Sequence, residues 1–223
     1  LDSVILWDTR VWTRQRSLQA LSSSPVHAVA FSPEGDLCGV LFRSSRVGLW
    51  STKSLALDRE LGVELDGMRD ARLSLLAMSE NYVVAGGSGE VLLVWSCYSN
   101  PPLVAELRRP LIALEIAKWH ADDRELKVSD HLCMDMAYAL QDNGELLLLC
   151  LETFQVILTV ALPHCAILAC RVSPGSPDAK ASASLRHWLL LGASDGCLEL
   201  RDLPAALAAE RQRRRRRATA LAS

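Results

Sequence analysis

The densest set of side chains able to hold a metal or move a proton lies in one charged stretch, HADDRELKVSD, which starts at His120. His120, Asp122, Asp123, Asp130 and His131 supply imidazole and carboxylate groups, which are ligand types that zinc accepts. Two histidines eleven residues apart match no standard zinc spacing. The competing reading, a solvated hydrophilic insertion, fits the spacing better. Gly86-Gly87-Ser88-Gly89 has the glycines and serine of a nucleophile elbow, but that elbow leads from a strand into a helix. Here an apolar strand-like run, Glu90 to Cys97, follows, so a hairpin turn is the expectation. No G-x-x-x-x-G-K-[ST] loop is present to cradle phosphates. The chain is therefore not expected to be an enzyme, and no catalytic, metal or cofactor site is assigned.

One further cluster carries charge without catalytic partners. Arg211, Arg213, Arg214, Arg215, Arg216 and Arg217 place six arginines in seven positions. Such a run neutralises phosphates, serves as a nuclear address or lies on an anionic surface. Its competing reading is a solvated helix end or an extended tail held open by like-charge repulsion. No aromatic side chain interleaves the run to stack on bases, which favours the second reading.

Composition bounds what must position these groups. The chain has 223 residues, half of them apolar, and a formal net charge of −2, so a soluble globular protein is expected. Its seven cysteines are an odd number with no C-x-x-C pair, which points to reduced core thiols and an intracellular setting, cytoplasmic or nuclear. The most apolar stretch, Leu146 to Cys170, is broken by Glu152, Gln155, Pro163 and His164, so no membrane helix is expected.

Short strands and tight turns dominate the chain. Val26 to Ser51 reads as three strands separated by Ser32-Pro33-Glu34-Gly35 and by Ser44-Ser45, where Pro sets φ and Gly relieves strain. Three such strands leave a face uncovered, so copies are required. A strand ending in tryptophan recurs as VILWD at Trp7, VGLWS at Trp50 and LLVWS at Trp95, at spacings of 43 and 45 residues. Degenerate copies follow as NGELLLL from Asn143 and DGCLELRD from Asp195. The pattern V-x-x-V-A-F-S-P-x-G, then a β run, then a strand ending in Trp resembles the WD-repeat family of β-propellers. Trp7, Asp8, Phe31, Pro33, Gly35, Trp50, Trp95, Gly144, Asp195 and Gly196 carry this repeat signature.

The resemblance implies an all-β fold, a WD-repeat-like β-propeller segment of about four to five four-stranded blades. The units are expected near residues 1–21, 26–62, 71–108, 111–162 and 165–203, with a helical or disordered Ala/Arg-rich tail over 204–223. A closed propeller of seven blades needs roughly 300 residues. The segment is thus expected to be incomplete and part of a larger polypeptide, its remaining blades lying in that polypeptide or in another chain. The His–Ser/Thr–Asp–Trp hydrogen-bond network of many family members is not retained as a set. Ser22 and Ser44 stand in the His and Asp slots of the second unit, and Gly89 or Ser88 in the Asp slot before Trp95. Tryptophan still buries a large apolar body without those partners.

In the family's usual chain order, the turns before the first strand and between the second and third strands share one rim. That rim would carry Arg43, Arg46, Arg69, Arg108, Arg109, Asp142 and Asn143. The resemblance therefore implies a non-catalytic scaffold for protein partners. The alternative is a nucleic-acid-associated module in which the rim arginines and the Arg211–Arg217 run act together.

Overall fold

A computed structural model of the chain describes residues 4–18, 24–62, 72–97, 99–120, 133–161, 167–173, 188–193 and 196–202, together with Ala209 and Gln212. The chain divides into two compact units, Leu1–Leu111 and Ile112–Ser223. All sheets are antiparallel meanders in which strands adjacent in sequence are adjacent in space. The all-β expectation holds among the described residues. The tail over 204–223 falls outside them apart from Ala209 and Gln212.

The first unit contains three sheets. A two-stranded sheet pairs β1 (Val4–Asp8) with β2 (Thr13–Leu18). The next runs β3 (Val26–Phe31), β4 (Leu37–Phe42), β5 (Val47–Ser51) and β6 (Leu57–Leu61). The third runs β7 (Leu73–Met78), β8 (Tyr82–Gly87), β9 (Val91–Ser96) and β10 (Ser99–Glu106).

Turn chemistry sets the hairpins. Between β3 and β4 the Gly35 N–H donates to the Ser32 carbonyl at 2.9 Å, and Gly35 sits at φ +74°, a conformation that costs glycine nothing. The Ser32 hydroxyl donates to Asp36 at 2.7 Å and accepts the Leu37 N–H at 3.0 Å. That hydroxyl holds the Asp36 carboxyl below its ordinary range.

A second device repeats through the backbone rather than the sequence. Trp12, Leu55 and Phe154 all lie at φ between +53° and +58°, each five residues after Trp7, Trp50 and Leu149. Each stands in the loop leading to the last strand of its sheet. Leu149 thus occupies the position of the repeating tryptophan. Left-handed backbone disfavours such bulky residues, so its recurrence at one position marks a shared hairpin geometry.

Period-two alternation explains how these sheets stack. Leu41, Val47, Leu49 and Leu61 form one core with Leu73, Met78, Val83, Ala85, Leu93 and Trp95 of the third sheet. On the opposite face of the second sheet, Cys38, Val40, Phe42 and Trp50 pack with Val4, Leu6 and Leu18 of the first. The interior strands β4 and β5 are therefore covered on both sides and read as continuous apolar runs. Phe42 meets Trp50 edge to face, with ring centroids 6.2 Å apart.

The tryptophan position is not equally buried in the three sheets. Trp50 is 3% exposed and Trp95 0%, whereas Trp7 is 55% exposed. The expectation that each repeat tryptophan buries its indole holds for two of the three.

One strand start also differs. Asn100-Pro101-Pro102 has the residues of a turn, yet β10 opens at Ser99 and contains both prolines. Its pairing with β9 jumps register between Ser99 and Leu103. Strand β10 is the edge of its sheet, and an edge tolerates residues that lack an N–H for the ladder.

The second unit continues the pattern. Strand β11 (Leu111–His120), which opens at the boundary residue, is followed by β12 (Cys133–Gln141), β13 (Glu145–Cys150) and β14 (Gln155–Ala161) in a four-stranded sheet. Ala113, Ala117, Met134, Met136, Tyr138, Leu140, Leu146, Leu148, Leu158 and Val160 form a core on one of its faces. A three-stranded sheet holds β15 (Ile167–Ser173), β16 (Trp188–Ala193) and β17 (Leu198–Asp202).

Core thiols follow from this burial. Cys38 and Cys150 are buried, while Cys197 is exposed. Desolvation pushes the Cys38 thiol up to about 11, so the reactive thiolate is scarce at neutral pH. In the native chain, a maleimide at pH 8 is expected to modify Cys197 before Cys38 and Cys150. Cys38 and Cys150 should react only after denaturant is added. Peptide mapping by mass spectrometry reads the order.

Candidate partner-binding end of the first unit

Backbone hydrogen bonds gather one end of the second and third sheets. The Arg43 N–H donates to the Pro25 carbonyl at 2.8 Å, and the Ser44 N–H donates to the Ser24 hydroxyl at 2.9 Å. These bonds tie the β4–β5 turn to the residues that enter β3. In the third sheet the Ser88 N–H donates to the Arg72 carbonyl at 3.1 Å, tying the β8–β9 turn to the residue before β7. The Leu107 N–H donates to the Glu90 carbonyl at 2.8 Å, which sets Arg108 and Arg109 beside that same turn.

Each sheet therefore presents its entering residue and its second turn together, and Arg43, Arg46, Arg72, Arg108 and Arg109 are all exposed there. Arg46 is paired with Glu60 at 2.9 Å, which uses its charge locally. The guanidinium groups of Arg43, Arg72, Arg108 and Arg109 form no ion pair among the described residues. Glu90 is the carboxylate at the tied turn. Among the described residues cations outnumber anions at this end, and exposed charges act over about 8 Å at physiological salt.

The other expected positions distribute as follows. Asp142 and Asn143 are exposed in the β12–β13 turn of the second unit. There the Gly144 N–H donates to the Gln141 carbonyl at 3.0 Å, the Asn143 side chain accepts the Glu145 N–H at 3.0 Å, and Gly144 lies at φ +80°. Arg69 falls outside the described residues, as do Arg211 and Arg213 to Arg217. Of the repeat signature, Asp195 is outside them and Gly196 lies at φ +84°. Asp8 accepts the Arg10 N–H at 2.9 Å, a bond that holds its carboxyl below the ordinary range.

Residues weighed for catalysis separate. Asp122, Asp123, Asp130 and His131 lie outside the described residues, and His120 is described only as the last backbone position of β11. Gly86 and Gly87 end β8, and Ser88 begins the turn to β9, so the serine sits in a hairpin and not in a strand-to-helix elbow. Among the described residues no group of three or more His, Cys, Asp or Glu side chains is placed to hold a metal. No helix among them is long and apolar enough to cross a membrane.

Sequence reasoning overlooked Arg72. The available signal was register: Arg72 immediately precedes β7 as Pro25 precedes β3, and its carbonyl makes the corresponding tie. Arg59 was also missed. Its guanidinium reaches from β6 of the second sheet to the Cys97 carbonyl at the end of β9, at 2.6 Å, and so clamps two stacked sheets at the opposite end. The buried Trp95 indole N–H has no hydrogen-bond partner among the described residues.

No protein-family model matches this chain, and a search of curated proteins found no match.

Proposed function

We propose that this chain is a non-catalytic scaffold of WD-repeat-like blades, arranged as a propeller segment, that binds an acidic stretch of a partner protein. The observation that carries this reading is the gathering of Arg43, Arg72, Arg108 and Arg109 at one end of two stacked sheets by hydrogen bonds from the adjoining turns. Arginines held on tied turns lose little backbone freedom on binding, and the guanidinium fork pairs with carboxylates in bidentate fashion. The recurrence of tryptophan-ending strands and of the left-handed residue five positions later supports the repeat.

The test uses a fluorescein-labelled octaglutamate peptide titrated into the full chain. The R43E/R72E/R108E/R109E variant is expected to bind it at least about tenfold more weakly, about 1.4 kcal/mol. A variant with Arg211 and Arg213–Arg217 changed to Ala is expected to keep most of the affinity. The opposite ranking overturns the reading. So does a short DNA duplex that outcompetes the peptide and loses affinity steeply with salt, since that slope counts phosphates neutralised.

A further inference from the structure

The two ties that close the arginine end of the second sheet differ in chemistry. One is backbone to backbone, from the Arg43 N–H to the Pro25 carbonyl at 2.8 Å. The other passes through a side chain: the Ser44 N–H donates to the Ser24 hydroxyl at 2.9 Å, in an exposed position. The third sheet repeats the first kind, from the Ser88 N–H to the Arg72 carbonyl. The residue before Arg72 is Ala71, which has no hydroxyl to offer. A modifiable group thus stands in the tie of the second sheet alone of these two.

Ser24 is followed by Pro25, and proline disfavours helical backbone at the residue before it. Both residues lie outside any helix or turn, directly before β3. Pro25 is exposed and Ser24 half-buried. An accessible serine with proline next in sequence is the substrate of a proline-directed protein kinase. A second such pair, Ser32-Pro33, gives the internal comparison. Ser32 is 4% exposed, and its hydroxyl donates to Asp36 at 2.7 Å and accepts the Leu37 N–H at 3.0 Å. That hydroxyl is committed to its turn, whereas the Ser24 hydroxyl meets its partner at the surface.

The surroundings of Ser24 suit a phosphate. Its Oγ already receives a backbone N–H. The residue before that N–H is Arg43, which is exposed and forms no ion pair among the described residues. Phosphate oxygens accept an N–H more strongly than a hydroxyl does, and a guanidinium pairs with them in bidentate fashion. A phosphoserine carries about −1.5 to −2 charge at neutral pH. Beside Arg43, that charge occupies one arginine of the end and repels carboxylates that approach the others.

We propose that Ser24 is a phosphorylation site for a proline-directed kinase, and that its phosphate closes the arginine end to acidic partners. The Ser24 Oγ attacks the γ-phosphorus of ATP, the bond to the ADP oxygen breaks, and the hydroxyl proton passes to the kinase's carboxylate base. The closing effect rests on the reading of this end as a partner surface; the phosphate's place beside Arg43 does not.

The test treats the full chain and its S24A variant with ATP and a mitogen-activated protein kinase, and maps phosphate by mass spectrometry. Modification of Ser24 and not of Ser32 is expected. The treated chain is expected to bind the octaglutamate peptide at least about tenfold more weakly than the untreated chain, with treated and untreated S24A indistinguishable. Phosphorus NMR supplies an independent readout. The second ionisation of the phosphoserine, ordinarily at about pH 6, is expected to move down, and R43A is expected to move it back up. Ser24 left unmodified overturns the proposal, as does phosphate on Ser24 that leaves peptide affinity unchanged. An untreated chain that fails to bind the peptide defeats the partner-surface reading and the closing effect with it. A phosphoserine ionisation that R43A leaves unmoved defeats the placement beside Arg43, whatever the peptide does.

Discussion

Trp95→Ala and Trp50→Ala are each expected to cost about 3–5 kcal/mol of unfolding free energy, whereas Trp7→Ala costs less than about 1 kcal/mol. All three residues end the same strand of the repeat. What differs is the sheet lying over them. Trp95 is enclosed between the second and third sheets with Leu41, Leu49 and Val83, and Trp50 lies under the first sheet with Val40 and Phe42. Removing either indole leaves a cavity between two sheets whose backbones are held by their own ladders and cannot collapse fully. Trp7 belongs to no core cluster among the described residues and stays more than half exposed, so its loss removes few contacts. Because the Trp95 N–H is buried without a partner among the described residues, Trp95→Phe forfeits area but also removes an unsatisfied donor, and it should cost less than the truncation. Urea unfolding followed by circular dichroism measures the series. Equal losses at the three positions would refute the stacking order.

Gly87→Ala carries the second large effect, about 3 kcal/mol from overpacking. Gly87 pairs with Leu73 where β7 shifts register against β8 between Leu73 and Leu75. That irregularity drives the β7 backbone onto the glycine: an added Cβ would collide with the Arg72 carbonyl oxygen and would stand 2.7 Å from the Ser74 nitrogen. Neither atom can swing away, since both are main chain and the Arg72 carbonyl also accepts the Ser88 N–H. Relief requires reopening the turn that carries the arginine end. Gly62 provides the contrast, with no atom of the described residues within 4 Å of where a Cβ would stand. Gly62→Ala is expected to be neutral or to stabilise by up to about 1 kcal/mol through the unfolded chain. The same urea titrations report both variants, and a neutral Gly87→Ala would contradict the close approach.

Strand ends were legible wherever turn chemistry is local: Ser32-Pro33-Glu34-Gly35 and Gln141-Asp142-Asn143-Gly144 close their turns with bonds that span three residues. The alternation in β3 and the apolar runs of β4, β5, β8 and β9 likewise announced one-faced and two-faced burial. Non-local facts were not legible. Nothing within VILWD distinguishes Trp7 from Trp50, because exposure depends on which strands lie opposite, not on the strand itself. The prolines at 101 and 102 look like a turn until β10 is known to be an edge. Arg72 escaped notice because its role is a backbone tie to Ser88, sixteen residues away. Arg43, Arg108 and Arg109 stand beside readable turn signals in the sequence, whereas the bonds that tie those turns to distant residues are not legible there.

The measurement that bears most directly on the scaffold reading is hydrogen–deuterium exchange of the full chain with and without the octaglutamate peptide. Slowed exchange is expected over the Arg43–Arg46 turn, over Ser88–Glu90 and over Leu107–Arg109, with the Ser32–Leu37 turn at the opposite end unchanged. Protection confined to residues 211–217, or centred on the Ser32–Leu37 end, would contradict the assignment of the arginine end as the partner surface.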